Sequence, residues 1–447
     1  VSLNHTFLIS NFGQVMRFFS PIDIGGFLCL LAYGILTWVT RTSGDPSLQL
    51  FLGLSICVAA TTFFLYIFLR QHPEQKISIR QLIIWAIIFR VCGLIGGPFY
   101  EDDYYRYLWD AFRFFQDGTP YGLAPEAFFQ DSEVPDQFQR ILDGINYPEL
   151  PTIYGPVTQI VFLGGYLLSP GSVIALQVLM ILFDLLTIGL LIRLAPLPAV
   201  LLYAWSPLVI KEVAFTAHPD IIAICLVVTA FILSYKNKIH IAAICLAFAV
   251  GAKIIALLVV PFVLLPTKTH IWGIFLGTLG LIYLPFILQG STDLYTLLVF
   301  TREWEFNAAF FGLLKPWLPN SLARMICGFL LAAGLLSYYL LFRNQRSDSM
   351  VRGDWIYGGL FALWPVVNSW YLLWLLPFSV LRPSAWAWTA SVVVLLSYIT
   401  GLNLNNFDMH PFAHPDWVRP VEYGLILIAM GYDLYRYKYR NQPTNDI

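Results

Sequence analysis

Apolar runs, each near the ~20 residues a helix needs to cross a hydrocarbon core of ~30 Å, recur along this chain from Ile22 to Leu434. A backbone that crosses lipid must satisfy its own N–H and C=O groups, and runs of this length do so as helices. Of the 447 residues, 58% are hydrophobic and 12% charged, about half the charged share of a soluble domain. Water is therefore not the main solvent. The runs lie near 22–40, 48–69, 79–97, 172–194, 198–216, 219–235, 239–252, 254–266, 271–289, 321–342, 354–368, 371–381, 385–401 and 418–434. The expected fold is an all-α polytopic membrane protein of about 13–14 transmembrane helices, one membrane-embedded domain over residues 1–447. The net charge of −1 offers no basic field for nucleic acid.

Charge between the runs orients them. Arg70, Lys76 and Arg80 form one basic connection, Lys236 and Lys238 a second, Arg343, Arg346 and Arg352 a third, and Arg436, Lys438 and Arg440 follow the last run. The positive-inside rule puts all four in the cytoplasm. Loops 98–171, 290–320 and 402–417, rich in acidic, aromatic, Pro and His residues, then face outward. Residues 153–169 are apolar enough to cross, but a crossing would invert every downstream loop. With Gly155-Pro156 and Gly164-Gly165, they are expected to lie in the outer interface. Val1–Ser20 carries Arg17 without a small-residue cleavage site, so the first run is expected to be retained. The six cysteines all fall inside apolar runs without CxxC spacing, as small core residues do.

The first large outer loop opens on Glu101-Asp102-Asp103. Read as a helix, the segment that follows sets Asp103, Arg106, Asp110, Arg113 and Asp117 on one side, with Tyr104, Tyr105, Leu108, Trp109, Phe112 and Phe115 opposite. Such a helix is expected to lay its aromatic face at headgroup level and turn its charged stripe to water or a cavity. Arg113 and Asp117 read as an ordinary surface pair. Three consecutive carboxylates at the mouth of a span repel one another and cost energy when desolvated, which marks them as candidate functional groups. Sugar transfer from a phosphate-linked donor needs one base on the acceptor hydroxyl and cations on the departing phosphate.

Other outward positions carry candidate binding groups. Lys211, Glu212, His218 and Asp220 gather at the junction of two runs, where anchoring would not need four ionisable groups. Lys253 interrupts an apolar stretch at an expected outer turn, either snorkelling or binding an anion. Arg302, Glu303, Glu305 and Asn307 stand among aromatics, with Arg302 able to grip a phosphate. Trp370 and Tyr371 sit at another outer turn, as interfacial anchors or as stacking surfaces for a sugar. Asp408, His410, His414 and Asp416 are metal-ligand types without a zinc spacing, so no metal is assigned. Mid-span Asp184 reads as a helix-packing hydrogen bonder.

In this order the motifs resemble the glycosyltransferase C superfamily of polyprenyl- or dolichyl-phosphate-sugar-dependent enzymes, especially its bacterial and GPI-assembly mannosyltransferase branches. The resemblance rests on Glu101-Asp102-Asp103-Tyr104, Tyr147-Pro148, Tyr154-Gly155-Pro156, His218 with Asp220, Trp304–Asn307 and Trp370–Pro377, and it covers most of the chain. It implies extracytoplasmic juxtamembrane helices and inverting transfer of a sugar, mannose favoured, from a polyprenyl-phosphate carrier. The acceptor would be an extracytoplasmic glycan, lipid or protein. An Asp of the acidic loop would be the base, with no cofactor and usually no metal, and the enzyme would sit as a multi-pass protein in the cell membrane. Two features depart from the pattern: the acidic loop follows the third run rather than the first, and Glu101, Asp102 and Asp103 all remain candidates for the base. Asp103 is favoured because it begins the charged stripe, with Asp102 the alternative. Glu101, Arg106, Lys211, His218, Asp220, Lys253, Arg302, Glu305, Trp370 and Tyr371 are the candidate substrate-binding residues. A transporter or flippase of lipid-linked sugars is the competing reading, but it should show paired repeats and midplane ionisable groups in several spans. A non-catalytic subunit that binds a lipid-linked glycan is a third.

Overall fold

A computed structural model describes residues 20–343 and 351–440; Arg17 and Arg346 lie outside the described residues. All named elements there are helical, and one isolated parallel bridge joins Phe306 to Val366. The chain is an all-α, multi-pass membrane protein. Serine caps open the first three helices of the described residues, α1 (Pro21–Thr42), α2 (Leu48–Gln71) and α3 (Ile79–Gly96). Ser20, Ser47 and Ser78 each accept a hydrogen bond from an N–H of the first turn, satisfying a donor that has no partner within the helix.

Among the described residues, six helices are long and apolar enough to cross, or seven if one bent pair counts as a single span. The expected number of 13–14 counted apolar runs, and several runs break. Residues 198–216 become Leu197–Ala204 and Pro207–Phe215, bent by 42°, where Pro207 cannot donate to the preceding turn. The runs at 254–266, 371–381 and 385–401 each mix a 3₁₀ segment with a short α-helix. Pro156–Leu168, the helix α5, has only 13 residues. At 1.5 Å per residue that falls short of a ~30 Å core.

The helix α4 (Asp103–Asp117) differs from the expected interfacial helix. Most of its aromatic face is covered by protein: Phe112 stacks on Phe138 at 4.1 Å, whereas Phe115, 4.8 Å from Tyr166 of α5, stays exposed. The charged side splits as well. Asp103 and Arg106 face a cavity, whereas Asp110 is buried and accepts hydrogen bonds from Thr152 and Gln159. Arg113 pairs with Asp117 and covers the Phe128 ring. The contacts with Phe138 and with Tyr166 of α5 hold α4 against its neighbours.

Asp184 of α6 (Val173–Leu191) is a packing group, as expected, but its partner was not foreseen. Arg90 donates from Nε at 2.6 Å and Tyr203 from its hydroxyl at 2.8 Å. The same guanidinium bonds the carbonyls of Ala86 and Ala204. Both ions are almost fully buried. Leaving one such charge unpaired costs about 3–5 kcal/mol, so this pair ties α3, α6 and the bent pair together beneath the acidic loop.

Candidate active site

The chain leaves α3 through Gly97, in the left-handed region at φ 79°, and Tyr100, a non-glycine at φ 58°. Tyr100 is held there because its N–H donates to Asp45 and its hydroxyl to the Pro46 carbonyl. Phe99 is buried against Phe51 and Phe215. This fixed corner sets Glu101, Asp102 and Asp103 at the start of α4, on the wall of a cavity of about 1210 Å³.

The three carboxylates are distinct. Asp102 occupies the N-cap position without a capping bond from its side chain, and its Oδ1 accepts from Asn146 Nδ2 at 2.5 Å. Glu101 turns toward Lys211 and Tyr398, and burial pushes its pKa well above the ordinary range. Asp103 has one weak hydrogen bond, from the Tyr154 hydroxyl at 3.4 Å. Burial and the neighbouring Asp102 push Asp103 up to about 6, while Lys253, Arg106 and Tyr154 pull the other way. Asp110 also reaches about 6 through burial, but it is buried away from the cavity, with Oδ2 taken by Thr152 and Gln159. Asp102 also lines the cavity and is raised by burial, but its Oδ1 is taken by Asn146; Asp103, with only the weak Tyr154 bond, combines the access and basicity a proton acceptor needs.

Lys253 ends helix α7 (Ile239–Ala252) on the same cavity. Its Nζ lies 3.0 Å from Asp220 Oδ2 and 5.3 Å from the centre of the Tyr371 ring. A close backbone crossing places it: a Cβ on Gly155 would stand 2.3 Å from the Gly251 carbonyl, and Thr158 donates to the Ala252 carbonyl. Only glycine lets α5 approach α7 this closely.

Behind the wall runs a buried polar chain. Asp220 accepts from Trp374 Nε1 at 2.8 Å with its second oxygen. Trp370 stacks on His218 at 4.0 Å. His218 shares a hydrogen bond with the Tyr107 hydroxyl and lies 3.3 Å from Glu212; burial, Lys211 and Lys253 push its pKa well below the ordinary value. Glu212 accepts from Ser369 and Tyr398, and Lys211 donates to the Tyr398 hydroxyl at 2.5 Å. The π-helical turn Ile210–Phe215 and Ala217 at φ 57° present these groups, a local strain of the kind that gathers at functional sites.

A family model described as alpha-(1->6)-mannopyranosyltransferase, N-terminal domain, matches residues 29–268, more than half of the chain. The chain belongs to this family. No curated protein and no solved structure matches it. Membership supports a mannosyltransferase activity, with a sugar donor and a glycan acceptor, in keeping with the glycosyltransferase C resemblance. The matched region of this mannosyltransferase-family chain holds the three carboxylates and Lys253. Residues beyond it, including Glu305, Trp370 and Tyr371, complete the cavity.

Of the residues singled out in the sequence, Glu101, Asp102, Asp103, Arg106, Lys253, Glu305, Trp370 and Tyr371 line the cavity. Glu305 is occupied by Lys315 and Asn320. Lys211, His218 and Asp220 are buried one layer behind, reaching the cavity through Tyr398, Trp370 and Lys253. Arg302 is exposed and does not line it. Helical steps of three and four put Thr296, Phe300 and Glu303 on the cavity side, leaving Arg302 on the opposite face. Among the described residues no three His, Cys, Asp or Glu side chains converge to hold a metal; His410 lines the cavity and His414 turns to the Ile399 carbonyl. Asn146, Ser369 and Tyr398 escaped the sequence reading, since isolated polar residues there carry no spacing signal.

Proposed function

We propose that this protein transfers mannose from a polyprenyl monophosphate to the 6-hydroxyl of an α-mannoside acceptor, with inversion, at the extracytoplasmic face of the cell membrane. The observation that carries this reading is the meeting, in one cavity, of an accessible carboxylate of raised pKa, Asp103, with the cationic Lys253. Asp103 takes the proton of the acceptor hydroxyl as that oxygen forms a bond to C1 of mannose. The bond from C1 to the phosphate oxygen breaks, and its electron pair leaves on the lipid phosphate. That phosphate needs no proton, so no second carboxyl acid is required, in contrast to a glycosidase. Lys253 meets the charge that grows on the leaving group. The α-(1→6) linkage follows the family's description.

A site facing outward has no access to cytoplasmic nucleotide sugars, so the donor must be a lipid that has crossed the membrane. Protein purified in detergent should use mannosyl polyprenyl monophosphate and leave nucleotide-linked mannose untouched. A cysteine introduced at Gln137 or Asn405 should label in intact cells with an impermeant thiol reagent. Efficient transfer from the nucleotide sugar, or labelling from the cytoplasmic side alone, would overturn the reading.

A further inference from the structure

The cavity is far larger than one carboxylate and one phosphate cation require, and the residues around Asp102 and Asp103 divide into two groups. Tyr154, Lys253 and Tyr371 form one, with Lys253 Nζ over both rings; the donor phosphate belongs there. The other is the loop at Asn146 and Tyr147, facing Trp304 from the far half of the chain. Tyr147 and Trp304 pack edge to face at 4.9 Å.

This aromatic pair is built for more than packing. Tyr147 stands in the left-handed region at φ 51°, a conformation a bulky side chain rarely takes. Its carbonyl is held there by Arg106 Nη2 at 3.1 Å and by the Leu150 N–H, so the guanidinium beside Asp103 also sets this loop. The Tyr147 side chain remains 42% exposed. Neither its hydroxyl nor the Trp304 indole N–H has a hydrogen-bond partner among the described residues. Burial and the nearby Glu149, Asp102 and Asp103 raise the pKa of the phenol, which keeps it a donor.

We propose that Tyr147 and Trp304, with Asn146 at their edge, form the acceptor subsite, a clamp on the mannoside whose hydroxyl Asp103 deprotonates. The inference rests on the mannosyl-transfer reading above. A pyranose offers a C–H face to an aromatic ring and hydroxyls to polar groups at its rim, and these rings present both.

The test uses full-length protein in detergent, mannosyl polyprenyl monophosphate as donor and octyl α-mannoside as acceptor. Trp304→Ala and Tyr147→Ala should each raise the acceptor KM about tenfold or more, with the donor KM within about twofold of wild type. Trp304→Phe should recover most of the loss, because the platform is kept. An unchanged acceptor KM, or a donor KM that moves in step, would overturn the assignment. A second measurement avoids altering the clamp. In Glu303→Cys, on the cavity wall beside Trp304, octyl α-mannoside should slow thiol labelling severalfold, and unslowed labelling would also overturn the proposal. That readout needs no turnover, so a wild type that fails to use the lipid donor would sink the transfer reading while the protection still reports on the subsite.

Discussion

Asp103→Asn is expected to lower the rate of mannosyl transfer by about 10²–10⁴-fold, the usual worth of a positioned general base, while the protein stays folded. The amide keeps the shape of the carboxylate and its contact with Tyr154, and it removes the basicity. Asp102→Asn should cost much less, since one oxygen of the Asp102 carboxylate is engaged by Asn146. The pH profile carries the same signature. Burial and Asp102 hold Asp103 at about 6, and only the deprotonated form accepts a proton. kcat/KM should therefore be level above that value and fall about tenfold per pH unit below it. A dead Asp102→Asn beside a near-normal Asp103→Asn would move the base by one residue. Two active variants would remove the acidic loop from the chemistry.

Lys253→Ala should lower kcat/KM for the lipid donor by about 30–1000-fold, equivalent to about 2–4 kcal/mol of lost stabilisation of the leaving phosphate. Part of any loss could be structural, because Lys253 also neutralises the buried Asp220. Asp220→Asn separates the two roles: it keeps an acceptor for Trp374, drops the ion pair, and leaves the cation free for phosphate. Its activity should stay well above that of Lys253→Ala. Arg302→Ala, on the exposed face of its helix, should stay within about twofold of wild type. Full activity in Lys253→Ala would end the phosphate role assigned to it.

Some of this architecture was legible because a single chemical cost announces itself locally. Three adjacent carboxylates at a span mouth, or a lysine inside an apolar stretch, are expensive wherever they occur, and Asp103 and Lys253 do share the cavity. The membrane class was equally plain from the runs. What the runs could not tell is where a helix breaks: apolarity continues unchanged through the 42° bend after Ala204 and through the 3₁₀ turns, so short elements counted as spans. Arg90 was absorbed into an apolar run because the residue that justifies its burial, Asp184, lies in another helix. Tyr398, Ser369 and Trp374 acquire meaning only through Lys211, Glu212 and Asp220, which long-range folding brings to them. Arg302 shows the converse, a suitable side chain on the wrong phase of its helix.

The central claim is a single displacement with one carboxylate as base, and the anomeric configuration of the product tests it most directly. Purified protein supplied with β-linked mannosyl polyprenyl monophosphate and octyl α-mannoside should yield a disaccharide that is α-linked alone, because one displacement inverts C1 once. A β-linked product would mean two displacements through a glycosyl-enzyme intermediate, with a carboxylate attacking the sugar instead of deprotonating the acceptor, and would contradict the account.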